Sequence, residues 1–150
     1  MEKALRVDAV LNAPNTDAHV VILKTEDGLF LPIWVGAPEG SAIKFAMESI
    51  SPPRPLTHDL LKNLITTLRA RVERVYISAV KGSTYFAEVW LQADGRRLKI
   101  DSRPSDAIAL ALRSQVPIYA AQEVMDSQRL EQLDALLEQF KPKDVGHYDA

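Results

Sequence analysis

The residues best suited to chemistry lie in segment 100–113, where Asp101, Arg103 and Asp106 stand close together. A strand-like run ends at Asp101, and Pro104 then suits the first position of a helix because its missing N–H would have no intrahelical partner there. Asp106 falls in the first turn, where a carboxylate meets the positive end of the helix dipole. Two carboxylates and a guanidinium in this arrangement can bind a divalent metal ion or a phosphate, or they can simply cap the helix.

Asp101 and Asp106 are the best candidate pair of metal ligands in the chain. Carboxylates that hold Mg²⁺ or Mn²⁺ would supply activated water and charge stabilisation for phosphodiester cleavage, with Arg103 as a clamp on the phosphate. The same residues have a structural interpretation, in which Asp106 interacts with the helix dipole, Asp101 bonds to turn amides and Arg103 bridges them. The residue types alone leave both interpretations open.

His58 is the second candidate, as a general base near neutral pH. It follows Thr57, which the local sequence predicts as the N-cap of a helix that runs to about Arg69, so a structural or solvent-facing role is favoured for this histidine. Glu39 opens an earlier helix and would join the site as a metal ligand if the two halves of the chain face each other. More often such a residue is only a first-turn acid.

The charge distribution bears on binding to nucleic acid. The net charge of −2 argues against broad electrostatic binding, although residues 54–113 hold eleven Lys and Arg against six Asp and Glu. Within this basic stretch, the candidate phosphate-binding residues are Arg54, Lys62 and Arg113. Solvent exposure explains these cations equally well.

Composition narrows the class of protein. The 150 residues, 47% apolar and 25% charged, are typical of one globular domain. The absence of cysteine excludes a disulfide framework, a thiolate nucleophile and a cysteine zinc site. No run approaches the roughly 18 apolar residues of a membrane span, and the polar start is not typical of a signal peptide. We therefore expect a cytoplasmic protein with no membrane partner.

An internal repeat must position the candidate residues. Each copy has a strand-like run on either side of an Asp-Gly turn, at residues 27–28 and 94–95, and Asp-Gly strongly indicates a hairpin. An apolar helix follows each hairpin, and a strand precedes it. The offset between the copies is 67 at the turns (94 − 27) and 65 in the helices (106 − 41), so their alignment needs a two-residue gap. We predict a single two-layer α+β domain with a duplicated strand–hairpin–helix unit and a mainly antiparallel or mixed sheet.

The predicted domain covers residues 1–126, with repeat halves at about 4–50 and 72–115. A short buried strand is expected over 116–120. Beyond the domain, residues 127–150 are predicted to form an amphipathic helix, with apolar positions from Leu130 onward, and a frayed tail.

Pro32 and Trp34 suggest how the chain assembles. Proline within a strand indicates an edge position or a bulge because it cannot donate to a neighbouring strand. An edge strand that exposes Trp34 could pair with another subunit, so we expect a homodimer or a higher homo-oligomer.

Three segments in the same order resemble the bifunctional nuclease domain family. They are LPIWVG at 31–36, PRPLTHDLL at 53–61 and IDSRPSDAIALALR at 100–113. The resemblance extends over about residues 5–125 and implies a two-layer α+β fold with a repeated motif, and cleavage of both DNA and RNA. The chain departs from the family pattern at Gly40, where Ala is expected. We expect that change only to loosen a helix start.

The leading hypothesis is a metal-assisted nuclease with low sequence preference that acts on DNA and RNA. Its candidate catalytic residues are Asp101, Asp106, Arg103 and His58, and a Mg or Mn ion would be held by Asp101, Asp106 and Glu39. The alternative is a non-catalytic dimeric scaffold or regulatory module whose polar cluster fixes the fold. Carboxylates fully occupied by backbone amides and by Arg103 would favour the alternative.

Overall fold

The computed structural model describes residues 1–129, and the predicted helical positions from Leu130 onward lie outside the described residues. The elements confirm the predicted α+β class. In chain order they are β1 (Glu2–Asn12), β2 (Ala18–Thr25), β3 (Phe30–Gly36), α1 (Ala37–Met47), α2 (Thr57–Thr67), β4 (Arg71–Lys81), β5 (Thr84–Ala93), β6 (Arg96–Ser102), α3 (Pro104–Ser114), β7 (Ile118–Ala121) and α4 (122–129).

The strands form one seven-stranded mixed sheet in the order β3-β2-β1-β7-β4-β5-β6. All neighbours are antiparallel except β4 and β7, which are parallel. Both Asp-Gly turns join antiparallel strands, and Gly28 and Gly95 take the positive φ angles of 92° and 73° that favour glycine. The two copies therefore occupy the two halves of the sheet, with β7 between them.

The core lies between the sheet and the helices. Buried strand residues such as Leu23 and Ile77 belong to the same apolar cluster as Ile43 of α1 and Ile108 of α3. Helix α3 is the most deeply packed, because its run of small and branched residues from Ala107 to Ala111 is buried against β4 and β5. No helix within residues 1–129 is long and apolar enough to cross a membrane. A cytoplasmic location stays a prediction.

The two repeat helices align differently from the sequence prediction. Helices α1 and α3 begin 67 residues apart (104 − 37), which is also the offset of the two turns. The predicted two-residue gap was therefore wrong at the helix starts. That gap comes from aligning similar apolar residues inside the two helices, where small residues recur at several positions and allow more than one alignment. In the structural alignment Glu39 and Asp106 are equivalent, since each is the third residue of its helix.

Two predicted boundaries also differ. Thr57 is the first residue of α2 rather than its N-cap, and the preceding Leu56 donates its backbone N–H to Asp59 at 2.9 Å. The short strand predicted over 116–120 is β7. The C-terminal helix begins at 122, inside the predicted domain, because its first turn buries Val124 and Met125 in the core.

The opposite face of the sheet carries an apolar patch in the first repeat. Leu11, Val20 and Trp34 form one row across β1, β2 and β3. Leu11 is 53% exposed and Trp34 is 66% exposed. Pro32 lies in β3 at the end of the sheet, which is the edge position that its missing N–H predicts. We call this row with Pro32 the sheet patch.

Gly40 has a steric role that the sequence did not indicate. A Cβ at this position would lie 2.7 Å from Cγ of His19, far inside the usual carbon–carbon separation of about 3.5–4.0 Å. Gly40→Ala should therefore destabilise the protein by about 1–3 kcal/mol, the usual cost of overpacking, whereas an unhindered helical Gly→Ala change is stabilising.

Urea unfolding of Gly40→Ala, His19→Gly and the double variant checks this prediction, because Cβ of His19 would itself lie 2.8 Å from the new Cβ and only glycine removes it. If His19 is the obstacle, Gly40→Ala should cost little in the His19→Gly background. An equal loss in both backgrounds would contradict the steric explanation.

Candidate functional site

Three helices place their N-terminal turns around one guanidinium. Arg103 caps α3, and its Nε donates to Oδ2 of Asp106 at 2.9 Å while Nη2 donates to Oδ1 at 3.2 Å. Its Nη1 reaches Oε1 of Glu39, in the first turn of α1, at 3.4 Å. The third helix, α2, contributes His58. We call Glu39, His58, Arg103 and Asp106 the polar cluster.

Asp106 contacts both His58 and Arg103 within the polar cluster. Its Oδ1 lies 2.9 Å from Nε2 of His58, a buried side chain 48 residues away in the chain. Burial of Asp106 acts to raise the pKa of its carboxyl group, but the hydrogen bonds from Arg103 and His58 outweigh it and hold that pKa below its ordinary value. Asp106 is therefore ionised at neutral pH.

The ionised carboxylate determines the tautomer of His58. A carboxylate only accepts hydrogen bonds, so Nε2 of a neutral His58 must carry the proton, and Nδ1 is left as an acceptor. Nδ1 has no hydrogen-bond partner among residues 1–129. An imidazole oriented by a carboxylate, with its second nitrogen free, is the arrangement of a general base.

All four residues of the polar cluster line a cleft of about 660 Å³. The rest of the wall is mainly apolar, and its apolar residues are Pro38, Ala42, Phe45, Pro55, Leu56 and Leu60. A second cleft of about 320 Å³ shares Glu39 and Arg103 with the first and is bordered by Trp34 and Tyr85. Arg103, whose side chain is 65% exposed, thus lines both clefts and is accessible to a ligand.

The structure does not bring Asp101 to Asp106. Asp101 lies opposite Glu88 in the pairing of β6 with β5, on the face of the sheet away from the core, whereas α3 packs on the core face. Successive strand side chains alternate between faces. Ser102 lies opposite the buried Ala87, so the neighbouring Asp101 points to the other face and away from the cluster. Asp101 is exposed and forms no side-chain hydrogen bond or ion pair within the described residues.

The predicted phosphate-binding cations are not gathered around the cluster. Nε of Arg113 donates to Oδ1 of Asp59 at 2.8 Å, and its side chain is only 8% exposed. Lys62 borders a different cleft, which Arg113 also lines. Arg54 is exposed in the loop between α1 and α2. Arg103 is consequently the cation that the structure offers at the 660 Å³ cleft.

The carboxylates of the polar cluster suit an ion such as Mg²⁺ that also binds water and phosphate better than an ion held by protein side chains alone. Residues 1–129 contain no group of three His, Asp or Glu side chains placed to hold a metal. Mg²⁺ commonly uses one or two carboxylates together with water and substrate phosphate. Glu39 and Asp106 reach the same guanidinium, and Oε2 of Glu39 is buried without a partner. These two residues, without Asp101, are the ones that fit such an ion.

Comparison with known proteins identifies a family whose sequence pattern this chain matches. The family model described as the bifunctional nuclease domain matches residues 21–132, which include the whole polar cluster. An uncharacterised protein of Mycobacterium tuberculosis is 38% identical over 122 residues, 81% of this chain and 70% of that protein. Bifunctional nuclease 2 of Arabidopsis thaliana is 32% identical over 83% of this chain and 40% of its own length. Bifunctional nuclease 1 of Oryza sativa subsp. indica is 31% identical over 71% of this chain and 34% of its own length.

The Asp106 hydrogen bonds predict a pH-dependent contribution to stability. Because folding lowers the pKa of Asp106 from its ordinary value of 3.8, its carboxylate stabilises the fold above that value, and the contribution is lost as the pH falls through the folded pKa. Asp106→Asn should lower the free energy of unfolding at pH 7 by roughly 1.5–3 kcal/mol, the range for hydrogen bonds to a charged group.

Urea unfolding between pH 7 and pH 3 measures this effect, and the difference between wild type and Asp106→Asn should shrink towards acid pH. Asp101→Asn is the matched control because it alters an exposed carboxylate without a partner. It should change stability by less than about 0.5 kcal/mol. A loss from Asp106→Asn that is equal at every pH would show that shape rather than charge matters.

Proposed function

Because the chain belongs to the bifunctional nuclease domain family, we propose that it is a nuclease that hydrolyses phosphodiester bonds of DNA and RNA with low sequence preference. The observation that carries the proposal is the hydrogen-bonded series His58–Asp106–Arg103 in the wall of an open cleft. It combines an oriented base with an accessible guanidinium, which are the two groups that attack on a phosphate requires.

In the proposed reaction His58 acts as the general base. A water molecule attacks the phosphorus atom and gives its proton to Nδ1 of His58, while the bond from phosphorus to the leaving oxygen breaks and that oxygen takes a proton from solvent. Asp106 holds the imidazole in the required tautomer and stabilises the imidazolium that forms. Burial of His58 fixes the ring at the cleft wall.

Arg103 binds the phosphate in this proposal. Its planar guanidinium matches two phosphate oxygens, and its exposure allows it to exchange a carboxylate partner for a phosphate. Two carboxylates against one guanidinium leave the cluster negatively charged when His58 is neutral, which opposes an anionic substrate. Mg²⁺ or Mn²⁺ bound by Glu39 and Asp106 would supply the missing positive charge and stabilise charge on the phosphate.

Cleavage assays on single- and double-stranded DNA and RNA, in Mg²⁺, Mn²⁺ or EDTA, test the function. His58→Gln keeps an amide that can donate to Asp106 but removes the base, so it should reduce the rate by about 10²–10⁴-fold. Arg103→Lys keeps the charge but loses the two-pronged contact, so it should mainly raise KM. EDTA should abolish cleavage.

Asp101→Asn is again the control and should cleave like the wild type. All variants are purified identically, because a trace of contaminating nuclease would survive the His58→Gln change. Wild-type rates in His58→Gln, with native stability, would place the active site elsewhere.

A non-catalytic scaffold is the competing function. Both oxygens of Asp106 already accept side-chain hydrogen bonds, which also suits a purely structural clamp between α2 and α3. The accessible guanidinium and the unpartnered Nδ1 of His58 favour the enzyme, since a clamp needs neither. A wild-type protein that is folded yet cleaves none of the four substrates with any of the metals would favour the scaffold.

We also propose that the protein is a homodimer that pairs through the sheet patch. The row of Leu11, Val20 and Trp34 ends on the edge strand β3, and its outer members Leu11 and Trp34 are more than half exposed. Apolar surface of this kind commonly marks an interface. Exposed leucines of α2 and of its C-cap, Leu68, form another apolar surface. The two surfaces lie on different elements, so single charges can distinguish them.

Sedimentation velocity at micromolar concentration measures the assembly. The wild type should sediment at twice the chain mass of 16.7 kDa or a multiple of it. Trp34→Lys should shift it to the monomer, and Leu68→Lys should not. A monomeric wild type would remove the proposal, and dissociation by Leu68→Lys alone would move the interface to α2.

A further inference from the structure

The lining of the 660 Å³ cleft combines two kinds of side chain. The polar cluster supplies charged and polar groups, and α1, α2 and the loop that precedes α2 supply an apolar wall. Phe45 contributes an aromatic ring to this wall, and Leu60 contributes a side chain that is 52% exposed. A ligand that fills the cleft must therefore carry both an anionic group and a flat or apolar group.

The size of the cleft limits that ligand. Sites for single small molecules occupy about 300–1,000 Å³, so about 660 Å³ accommodates one nucleotide unit. A base that lies against the wall cannot remain stacked and paired within a duplex. Taking a base out of a duplex costs a few kcal/mol, and the cost is least for a strand that is already single.

The surrounding charges also disfavour a duplex. Duplex binding without sequence preference draws its affinity from many Lys and Arg contacts to phosphates. Here Arg113 is bound to Asp59, Lys62 borders another cleft, and Glu39 and Asp106 add negative charge beside Arg103. Affinity must come instead from contact with the base, which contributes strongly in proteins that bind single strands.

We propose that the cleft binds one unpaired nucleotide of a single-stranded nucleic acid, with its base against Phe45 and Leu60 and its phosphate at Arg103. The inference rests on the proposed nuclease function and specifies its substrate: single-stranded DNA or RNA, or the unpaired segments of a folded strand. Sequence preference is low because the wall offers apolar contact, which every base can make.

Binding and cleavage are measured separately so that the two proposals can fail separately. Fluorescence anisotropy in Ca²⁺, which takes the same oxygen ligands as Mg²⁺, compares a single-stranded 20-mer, its duplex and the same strand with abasic nucleotides at its centre. Cleavage in Mg²⁺ maps the cut positions on the end-labelled strands. The single strand should bind at least tenfold more tightly than the duplex, and the abasic positions should be gaps in the cleavage ladder.

Two leucines of α2 form a matched pair of variants. Leu60 lines the cleft, whereas Leu64 is 50% exposed one helical turn later and does not line it. Leu60→Asn should weaken binding of the single strand about tenfold, the order expected for loss of one base contact, and Leu64→Asn should change it less than about twofold. Thermal melting of both variants confirms that they are folded.

Each outcome bears on one proposal. Equal binding of duplex and single strand, equal cutting at abasic positions, or equal effects of Leu60→Asn and Leu64→Asn would overturn the inference, while cleavage that depends on His58 would leave the nuclease function standing. Binding of the single strand that depends on Leu60, without any cleavage, would instead support the nucleotide site and contradict the nuclease function.

Discussion

The sharing of the Asp106 carboxylate between His58 and Arg103 is the interaction on which the site depends. Helix α2 buries one side chain, His58, and leaves most of its leucines exposed, so apolar packing contributes little to its position. The hydrogen bond from His58 to Asp106 and the ion pair of Asp59 with Arg113 attach its first turn to α3. Because α2 also contributes residues to the wall of the cleft, the carboxylate that orients the imidazole also holds part of that wall in place.

The duplication explains why the polar cluster is asymmetric. Each repeat ends its hairpin at a sheet edge and then starts a helix, so each delivers a first-turn carboxylate, Glu39 or Asp106, at the equivalent position. The capping residues differ: Arg103 in the second copy corresponds to Gly36 in the first. A Cβ at Gly36 would lie 2.8 Å from Oε2 of Glu39, so a side chain there would have to displace that carboxylate. Glycine supplies no charge of its own, and one guanidinium contacts both carboxylates.

Local sequence signals predicted the elements, whereas the site depended on contacts that no local signal carries. The Asp-Gly turns and the proline at the start of α3 act within a few residues, and both appear as expected. The helix start at residue 57 explains His58 locally and so favours a structural or solvent-facing role, although His58 is also a catalytic candidate; its partner lies 48 residues away. Asp101 was favoured through its nearness in sequence to Asp106, but strand alternation places it on the other face of the sheet. The close contact between Gly40 of α1 and His19 of β2 is likewise a contact between separate elements, which no local signal predicts.

The resting polar cluster must change its partners when an anion binds. Arg103 is held to Asp106 by two hydrogen bonds but approaches Glu39 only at 3.4 Å, so the contact with Glu39 is the one that yields most easily. Ion pairs of exposed side chains contribute little to stability, and exchanging this one for a phosphate costs correspondingly little. Release of Arg103 would leave Glu39 with one oxygen buried and unpartnered and the other free, a carboxylate that then favours a cation. Binding of phosphate and binding of a divalent ion should therefore reinforce each other at this site.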